Sequence, residues 1–211
     1  MKALICVDLQ KDLFSDGKLP VPRADEVIPI INELLPKFDL IIFTKDWHPE
    51  NYKSFASQHE DKEIFDTIEL NGIKQILWPD HCIQDTLGAD FHEDLDLSKC
   101  KKDFYIFKKG MDPEIDNYSA FYDNEQKNST GLFEFLDEKE VTNVYVCGLS
   151  GDYGVKHTAL DSAILGGYNT CIIIDAIRFV DDDKRPVIQE LTESDVKIIE
   201  SWELDLFNLL K

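Results

Sequence analysis

The segment VYVCGLSGDYGVKHTALDS, residues 144–162, joins a short apolar run to a helical pattern through a glycine-rich turn. The run Val144 to Cys147 is long enough for a buried strand and too short for a typical helix. After the turn, the apolar residues of 153–165 recur at helical spacing, and Gly166-Gly167 is a stop signal. This order of strand, turn and helix favours an α/β fold.

The same alternation continues along the chain. Four more apolar runs have the length of strands: Ala3 to Val7, Leu40 to Phe43, Phe104 to Phe107 and Thr170 to Ile174. Helical patterns occupy Ala24 to Leu35 and Gly131 to Leu136. Strands that alternate with helices predict a mostly parallel sheet covered by helices on both faces.

Length and composition indicate one folded domain. The chain has 211 residues, of which 43% are apolar, so we expect the bulk of the chain to be folded. We expect a single domain over residues 1–211 with an insertion at about 51–100 that lines the site, because that stretch has little periodicity. The apolar runs are too short to span a bilayer, and the N-terminus lacks the pattern of a signal peptide. A cytoplasmic protein is expected.

Charge and cysteine content restrict the partners. The chain carries 22 Lys and Arg against 42 Asp and Glu, a formal net charge of −20, which argues against binding to nucleic acid or anionic membranes. The five cysteines are odd in number and form no CxxC pair, which favours free thiols in a reducing compartment.

One group of residues suggests a metal site. Asp46 and His48 are two residues apart at the end of a predicted strand, where i and i+2 side chains point to the same side. His81 provides a second imidazole. Two His and one Asp suit Zn, Fe or Mn with positions open for substrate. For an isolated Asp-x-His pair, however, hydrogen-bonded loop residues are the commoner interpretation.

Ligands of parallel sheets collect at the carboxyl ends of the strands, which draws attention to two other charged residues. Asp8 ends the first predicted strand, where a carboxylate could accept a proton from a nucleophile, although a capping role is the simpler interpretation. Lys109 follows the third strand and could hold Asp8 ionised, or be an ordinary exposed lysine. The turn at 148–154 could bind an oxyanion through backbone N–H groups, or simply pack the helix onto the strand.

Together these segments resemble the nicotinamidase branch of the isochorismatase-like cysteine hydrolases. The resemblance covers about three-quarters of the chain, in the order of the family. It rests on VDLQKDLF (7–14), TKDWHPENYKSFAS (44–57), WPDHC (78–82), KKGMDPEIDNYSAF (108–121) and CGLSGDYGVKHTALDS (147–162). It implies a three-layer α/β/α fold and hydrolysis of nicotinamide to nicotinate and ammonia, a step of NAD salvage. Within this fold, the metal site argues against a carbamoylase or an isochorismatase, whose branch lacks it.

The resemblance also implies roles for single residues. Asp8 would be the general base and Lys109 its charge partner. One divalent ion, Zn before Fe or Mn, would bind to Asp46, His48 and His81, with Ser54 a weaker candidate that acts through water. The pyridine nitrogen would face this ion.

Further implied roles concern the pocket walls and the oxyanion. Phe14, Trp78 and Tyr118 would form aromatic walls, although each could be a core residue. The backbone N–H groups of Ser150 and Gly154 would form the oxyanion hole, with a cis peptide just before Ser150.

At one position the chain departs from the family. The family segment reads Asp-Tyr-Cys-Val-Lys, whereas this chain has Gly154 at the position of the nucleophilic cysteine. Two interpretations stay open: a Cys→Gly change that disables an amidase, or a non-catalytic protein that binds nicotinamide-like pyridines. The retained acid, lysine and ligands favour a recent or engineered change. The expected partner is nicotinamide, and the sequence leaves open the use of other amides such as pyrazinamide and assembly into a homo-oligomer.

Overall fold

The computed structural model describes residues 1–164 and 167–204. The described residues form a six-stranded parallel sheet in the order β5-β2-β1-β6-β7-β8 and a separate antiparallel hairpin, β3-β4. The strands are β1 Lys2–Val7, β2 Leu40–Asp46, β3 Thr67–Leu70, β4 Ile73–Ile76, β5 Phe104–Lys109, β6 Asn143–Gly148, β7 Asn169–Ile177 and β8 Lys197–Ile199.

Helices flank the sheet and give the three-layer α/β/α architecture predicted above. They are α1 Val27–Leu34, α2 Leu132–Glu138, α3 Gly154–Ile164 and α4 Arg185–Glu193. Helices α1 and α3 both pack against β6 and β7. From α2, Phe135 contacts Tyr105 and Phe107 on one face of β5, while Phe104 on the other face contacts Phe43. Short 3-10 turns at Ala24–Glu26 and Leu35–Lys37 extend α1 at both ends.

The central strands are apolar because both of their faces are covered. In β1, every residue from Ala3 to Val7 is fully buried, so the strand shows a continuous apolar run rather than an alternating pattern. Strand β1 pairs with β2 on one side and β6 on the other. Such runs are the feature that let the sequence predict these strands.

The predicted elements are present, with small changes at their ends. The strands extend one to three residues beyond the predicted runs. Helix α3 was predicted over 153–165 with a stop at Gly166, and Leu165 and Gly166 lie outside the described residues. The end of the predicted domain at Lys211 also lies outside them. Each of the five cysteines is a free thiol, as expected. Among the described residues, no helix has the length and apolar character needed to cross a membrane.

Sheet register determines where the site forms. Asp46 is directly opposite Lys109 across β2 and β5, and Val7 is opposite Gly148 across β1 and β6. The carboxyl ends of four neighbouring strands therefore bring Asp8, Asp46, Lys109 and the 148–154 turn to one edge of the sheet.

Candidate active site

A buried lysine between two carboxylates forms the centre of the site. The Lys109 Nζ atom lies 2.9 Å from Asp8 Oδ2 and also donates to Asp46 Oδ1. Its third contact is the main-chain oxygen of Asn117, 3.2 Å away. The Thr44 hydroxyl donates to Asp8 Oδ1 at 2.6 Å. The ammonium is thus fully paired, as burial of a charge requires.

The pKa values of the two carboxylates shift in opposite directions. Burial and the nearby Asp46 charge raise the pKa of Asp8 to about 6, although Lys109 and the Thr44 hydroxyl lower it. Burial also acts to raise the pKa of Asp46, but the Lys109 ammonium and His48 outweigh it and hold this pKa well below its ordinary value. Lys109 therefore favours the ionised form of Asp8, but burial and Asp46 outweigh it, so the pKa of Asp8 lies above its ordinary value. Asp8 is the carboxylate that takes up a proton near neutral pH.

The predicted metal-binding side chains converge. One potential ligand atom from each of Asp46, His48 and His81 lies within 4.8 Å of the others, and all three side chains are buried. The Nδ1 atom of His48 is 2.9 Å from the carbonyl oxygen of Gly110, and that of His81 is 2.8 Å from the carbonyl oxygen of Pro79. Because a carbonyl only accepts, each Nδ1 carries the hydrogen, which leaves each Nε2 lone pair free to ligate.

The chemistry of this donor set fits a divalent transition metal. Burial and the neighbouring His48 lower the pKa of His81 to about 4, so this imidazole is neutral and able to ligate at physiological pH. The Ser54 hydroxyl is buried and has no hydrogen-bond partner within the described residues. A bound water beside the ion would satisfy it. Two imidazoles, a carboxylate and open positions match the preferences of Zn, Fe or Mn.

A cavity opens beside these groups, with an empty volume of about 520 Å³ including its mouth. Its lining brings together Asp8, Asp46, His48, Trp78, His81, Lys109, Tyr118, Ser150 and Gly154. Trp78 and Tyr118 are part of an aromatic cluster with Tyr153, whose ring centroid is 4.8 Å from that of Trp78.

Phe14 is the predicted wall residue that the structure does not bring to the cavity. Its ring packs on His92 with centroids 4.3 Å apart, and its neighbour Leu13 lines the cavity instead. The reason is local, because the 3-10 turn Lys11–Leu13 changes which side chain points inward. Sequence reasoning also missed Asp116 and Tyr153, which line the cavity. Both lie inside the family segments quoted above, and that position was the feature of the sequence that could have identified them.

Gly154 is the first residue of α3 and faces Asp8. An ideal Cβ at this position would lie 3.2 Å from Asp8 Oδ2 and 2.9 Å from Val7 Cγ1, so the Val7 methyl must move by a few tenths of an ångström. The φ angle of Gly154 lies outside the left-handed region, so the backbone does not require glycine here. The peptide bond between Leu149 and Ser150 is cis, as predicted.

The Gly154 N–H lies at the start of a helix, where backbone N–H groups lack helical partners and favour anions. The cavity thus combines a proton acceptor, a metal-ligand triad and a candidate oxyanion site.

Residues 2–193 match the isochorismatase domain family. The chain belongs to the isochorismatase family. A nicotinamidase of Acinetobacter baylyi is 42% identical over 201 residues, which cover 94% of this chain and 92% of that protein. The resemblance to the nicotinamidase branch is confirmed, and the chain is a nicotinamidase-type member of the family.

Solved structures of this family have the same fold. A nicotinamidase/pyrazinamidase of Acinetobacter baumanii is 40% identical with a TM-score of 0.91, covering 96% of this chain and 97% of that one. A yeast nicotinamidase bound to the inhibitor nicotinaldehyde is 33% identical with a TM-score of 0.89, covering 95% and 100%. A Pyrococcus horikoshii pyrazinamidase in complex with zinc is 34% identical with a TM-score of 0.76, covering 94% and 98%.

Proposed function

We propose that this chain binds nicotinamide beside one divalent metal ion, and that efficient hydrolysis at its site requires a thiol at position 154. The observation that carries the proposal is the place of Gly154. A side chain there would start 3.2 Å from the Asp8 carboxylate, in the cavity that the metal-ligand triad also lines. The nicotinamidase relatives support the substrate.

The cavity provides a separate contact for each part of nicotinamide. Trp78 and Tyr118 offer aromatic surface to the pyridine ring. Asp46, His48 and His81 would hold the ion, with Ser54 acting through water. When bound, the ion would supply a Lewis-acidic anchor for the ring nitrogen, and the zinc in the Pyrococcus relative supports zinc as its identity. With the ring nitrogen on that side, the carboxamide would reach Asp8 and position 154.

With cysteine at position 154, the chain's groups would carry out amide hydrolysis in two stages. Asp8 accepts the thiol proton while sulfur bonds to the amide carbon, and the N–H groups of Ser150 and residue 154 stabilise the oxyanion. Asp8 then returns the proton as the C–N bond breaks and ammonia leaves. Water next adds to the thioester, its proton passes through Asp8 to the departing sulfur, and nicotinate is released.

Glycine offers no atom for the first bond. Removing a covalent nucleophile from other hydrolases lowers the rate by about 10⁴- to 10⁶-fold. We therefore propose that this chain binds nicotinamide and turns it over very slowly. A second candidate is a protein whose function is to bind pyridine carboxamides without turnover, which the glycine at position 154 favours. The metal-ligand triad disfavours a third candidate, a hydrolase of the same fold that works without a metal.

Ammonia release from nicotinamide, measured at equal metal loading, tests the proposal. The unsubstituted chain is compared with Gly154→Cys, which restores the thiol, and with Gly154→Ala, which adds the same Cβ without sulfur. We expect Gly154→Cys to release ammonia at least about 10⁴-fold faster than the unsubstituted chain. Gly154→Ala should show no such gain. If all three bind metal and nicotinamide and none releases ammonia, the amidase assignment is wrong and the binding function stands.

A further inference from the structure

A buried carboxylate at the cavity wall connects three parts of the site. Asp116 follows β5, is 4% exposed and lines the cavity. Its Oδ1 accepts from the Tyr52 hydroxyl at 2.9 Å and from the Asn117 N–H at 2.7 Å. Its Oδ2 accepts from Gln75 Nε2 at 2.6 Å. Three donors satisfy this carboxylate, which lets it stay buried and fixes all three partners.

The first partner supports a metal ligand. The Tyr52 ring is stacked on the His48 imidazole, with centroids 4.1 Å apart and an interplanar angle of 20°. The ring is 1% exposed, and its hydroxyl is the polar end that Asp116 holds. The Gly110 carbonyl holds Nδ1 at the edge of the His48 ring and the Tyr52 stack holds its face, so together they set the direction in which Nε2 points.

The second partner supports an aromatic wall. Gln75 Nε2 lies 3.1 Å from the Tyr118 hydroxyl as well as 2.6 Å from Asp116. Gln75 belongs to β4, so the hairpin within the insertion is tied to the cavity through this side chain. Tyr118 in turn contacts Trp78 and Tyr153.

The third partner leads to the buried lysine. The Asn117 N–H that donates to Asp116 belongs to the residue whose carbonyl accepts from Lys109 Nζ. One carboxylate therefore fixes the stack on a metal ligand, the wall for the substrate ring and an acceptor for the catalytic ammonium.

We propose that Asp116 is a positioning residue that couples the metal ligand His48 to the aromatic wall at Tyr118, so that metal affinity and pyridine affinity depend on it together. The inference rests on the proposed function. It assigns Asp116 no contact with the reacting atoms. This role differs from simple support of the loop. It predicts that zinc affinity changes through the Tyr52 hydroxyl and that nicotinamide affinity changes through the Tyr118 hydroxyl.

The test uses Asp116→Asn in the full chain, with zinc affinity measured by competition with a chromophoric chelator and nicotinamide affinity measured by calorimetry at saturating zinc. The amide keeps the shape but turns an N–H₂ group toward one of the three donors. We expect zinc affinity to fall about tenfold, as for other partners of metal ligands, and nicotinamide affinity to fall about tenfold, as for loss of a buried hydrogen bond. Asp123→Asn is the matched control, because Asp123 is also 4% exposed and accepts from N–H groups of its own loop.

Two Tyr→Phe variants, which keep the aromatic ring, separate the connection from Asp116 to His48 from the connection to the Tyr118 wall. Tyr52→Phe keeps the stack but loses the hydroxyl, and we expect it to weaken zinc binding only. Tyr118→Phe should weaken nicotinamide binding only. Adding Tyr52→Phe to Asp116→Asn should cause no further loss of zinc affinity, because both changes break one connection.

The outcomes separate this inference from the proposed function. If Asp116→Asn changes both affinities less than twofold, or no more than Asp123→Asn does, the inference is wrong while the proposed function stands. If the unsubstituted chain binds neither zinc nor nicotinamide, both are wrong. Coupled losses in Asp116→Asn that the two Tyr→Phe variants divide between them support the inference.

Discussion

Among single residues, Asp8 combines burial with a second carboxylate nearby, and this makes its ionised form costly. Its pKa is raised from 3.8 to about 6 by burial and by Asp46. A group whose folded pKa is raised contributes stability that is fully present below 3.8 and is lost as pH rises through about 6. At about 1.4 kcal/mol per tenfold change, the ionised carboxylate costs about 3 kcal/mol above that range. Asp8 in its ionised, proton-accepting form therefore lowers the free energy of unfolding of the chain.

Asp8→Asn should therefore stabilise the fold at pH 8 and abolish turnover in the Gly154→Cys background. The asparagine can present its oxygen to Lys109 and its N–H₂ group to the Thr44 hydroxyl, so the neutral side chain keeps both contacts. We expect the free energy of unfolding to rise by up to about 3 kcal/mol at pH 8 and by almost nothing at pH 4. Urea unfolding with chelator at several pH values measures this. If the stability difference between Asp8→Asn and the unsubstituted chain grew as the pH was lowered, the pKa of Asp8 would not be raised in the folded state.

Between elements, the carboxyl ends of the strands explain how much of the site the sequence could predict. Asp8, Asp46, Lys109 and the 148–154 turn follow buried apolar runs, and parallel pairing alone brings such positions together. Phe14 was misassigned because an aromatic side chain next to the site and one facing into it have the same sequence pattern.

The strands and helix that the sequence missed are short or weakly patterned. Strand β8 has three residues at the sheet edge, and in the β3-β4 hairpin β3 alternates exposed with half-buried residues while the one buried residue of β4 is the polar Gln75, so neither forms a long apolar run. Helix α4 has an apolar stripe of only three residues, Val187, Ile188 and Leu191, and such a short stripe predicts a helix only weakly. Asp116 could not be assigned a role from sequence because two of its three partners, Tyr52 and Gln75, come from distant segments of the chain.

The turn after β5 offers a prediction at this scale. Gly110 has φ +63°, and a Cβ there would lie within van der Waals overlap of the His48 ring. Gly110→Ala should displace His48 and lower zinc affinity by about tenfold or more. Gly131→Ala is the matched control, since Gly131 has φ +86° and a Cβ there would meet nothing within 4 Å.

Both variants should lose about 1 kcal/mol of stability from the left-handed backbone, and only Gly110→Ala should lose zinc. Chelator competition and thermal unfolding of both variants provide the comparison. Equal zinc affinities in the two alanine variants would show that the Gly110 turn does not position His48.

For the whole molecule, a net charge of −20 means that any cation relieves some repulsion within the fold. A rise in melting temperature with zinc is therefore not by itself a sign of a specific site. Magnesium separates the two effects, because it has the same charge but prefers oxygen ligands in an octahedral shell, whereas the triad offers two imidazole nitrogens.

Zinc at 100 times its dissociation constant should stabilise the chain by about 2.7 kcal/mol, which for a protein of this size is a rise of about 5–10 °C in the melting temperature. Magnesium at the same concentration should raise the melting temperature less. Added sodium chloride should abolish that rise, because the salt already screens the repulsion between the acidic side chains. His81→Ala should keep the response to magnesium and lose the zinc increment, since it removes one ligand and leaves the net charge unchanged at neutral pH. A zinc increment that survives in His81→Ala would place the stabilising ion elsewhere on the acidic surface. The triad would then lose its role as the metal site, and the pyridine nitrogen its proposed anchor.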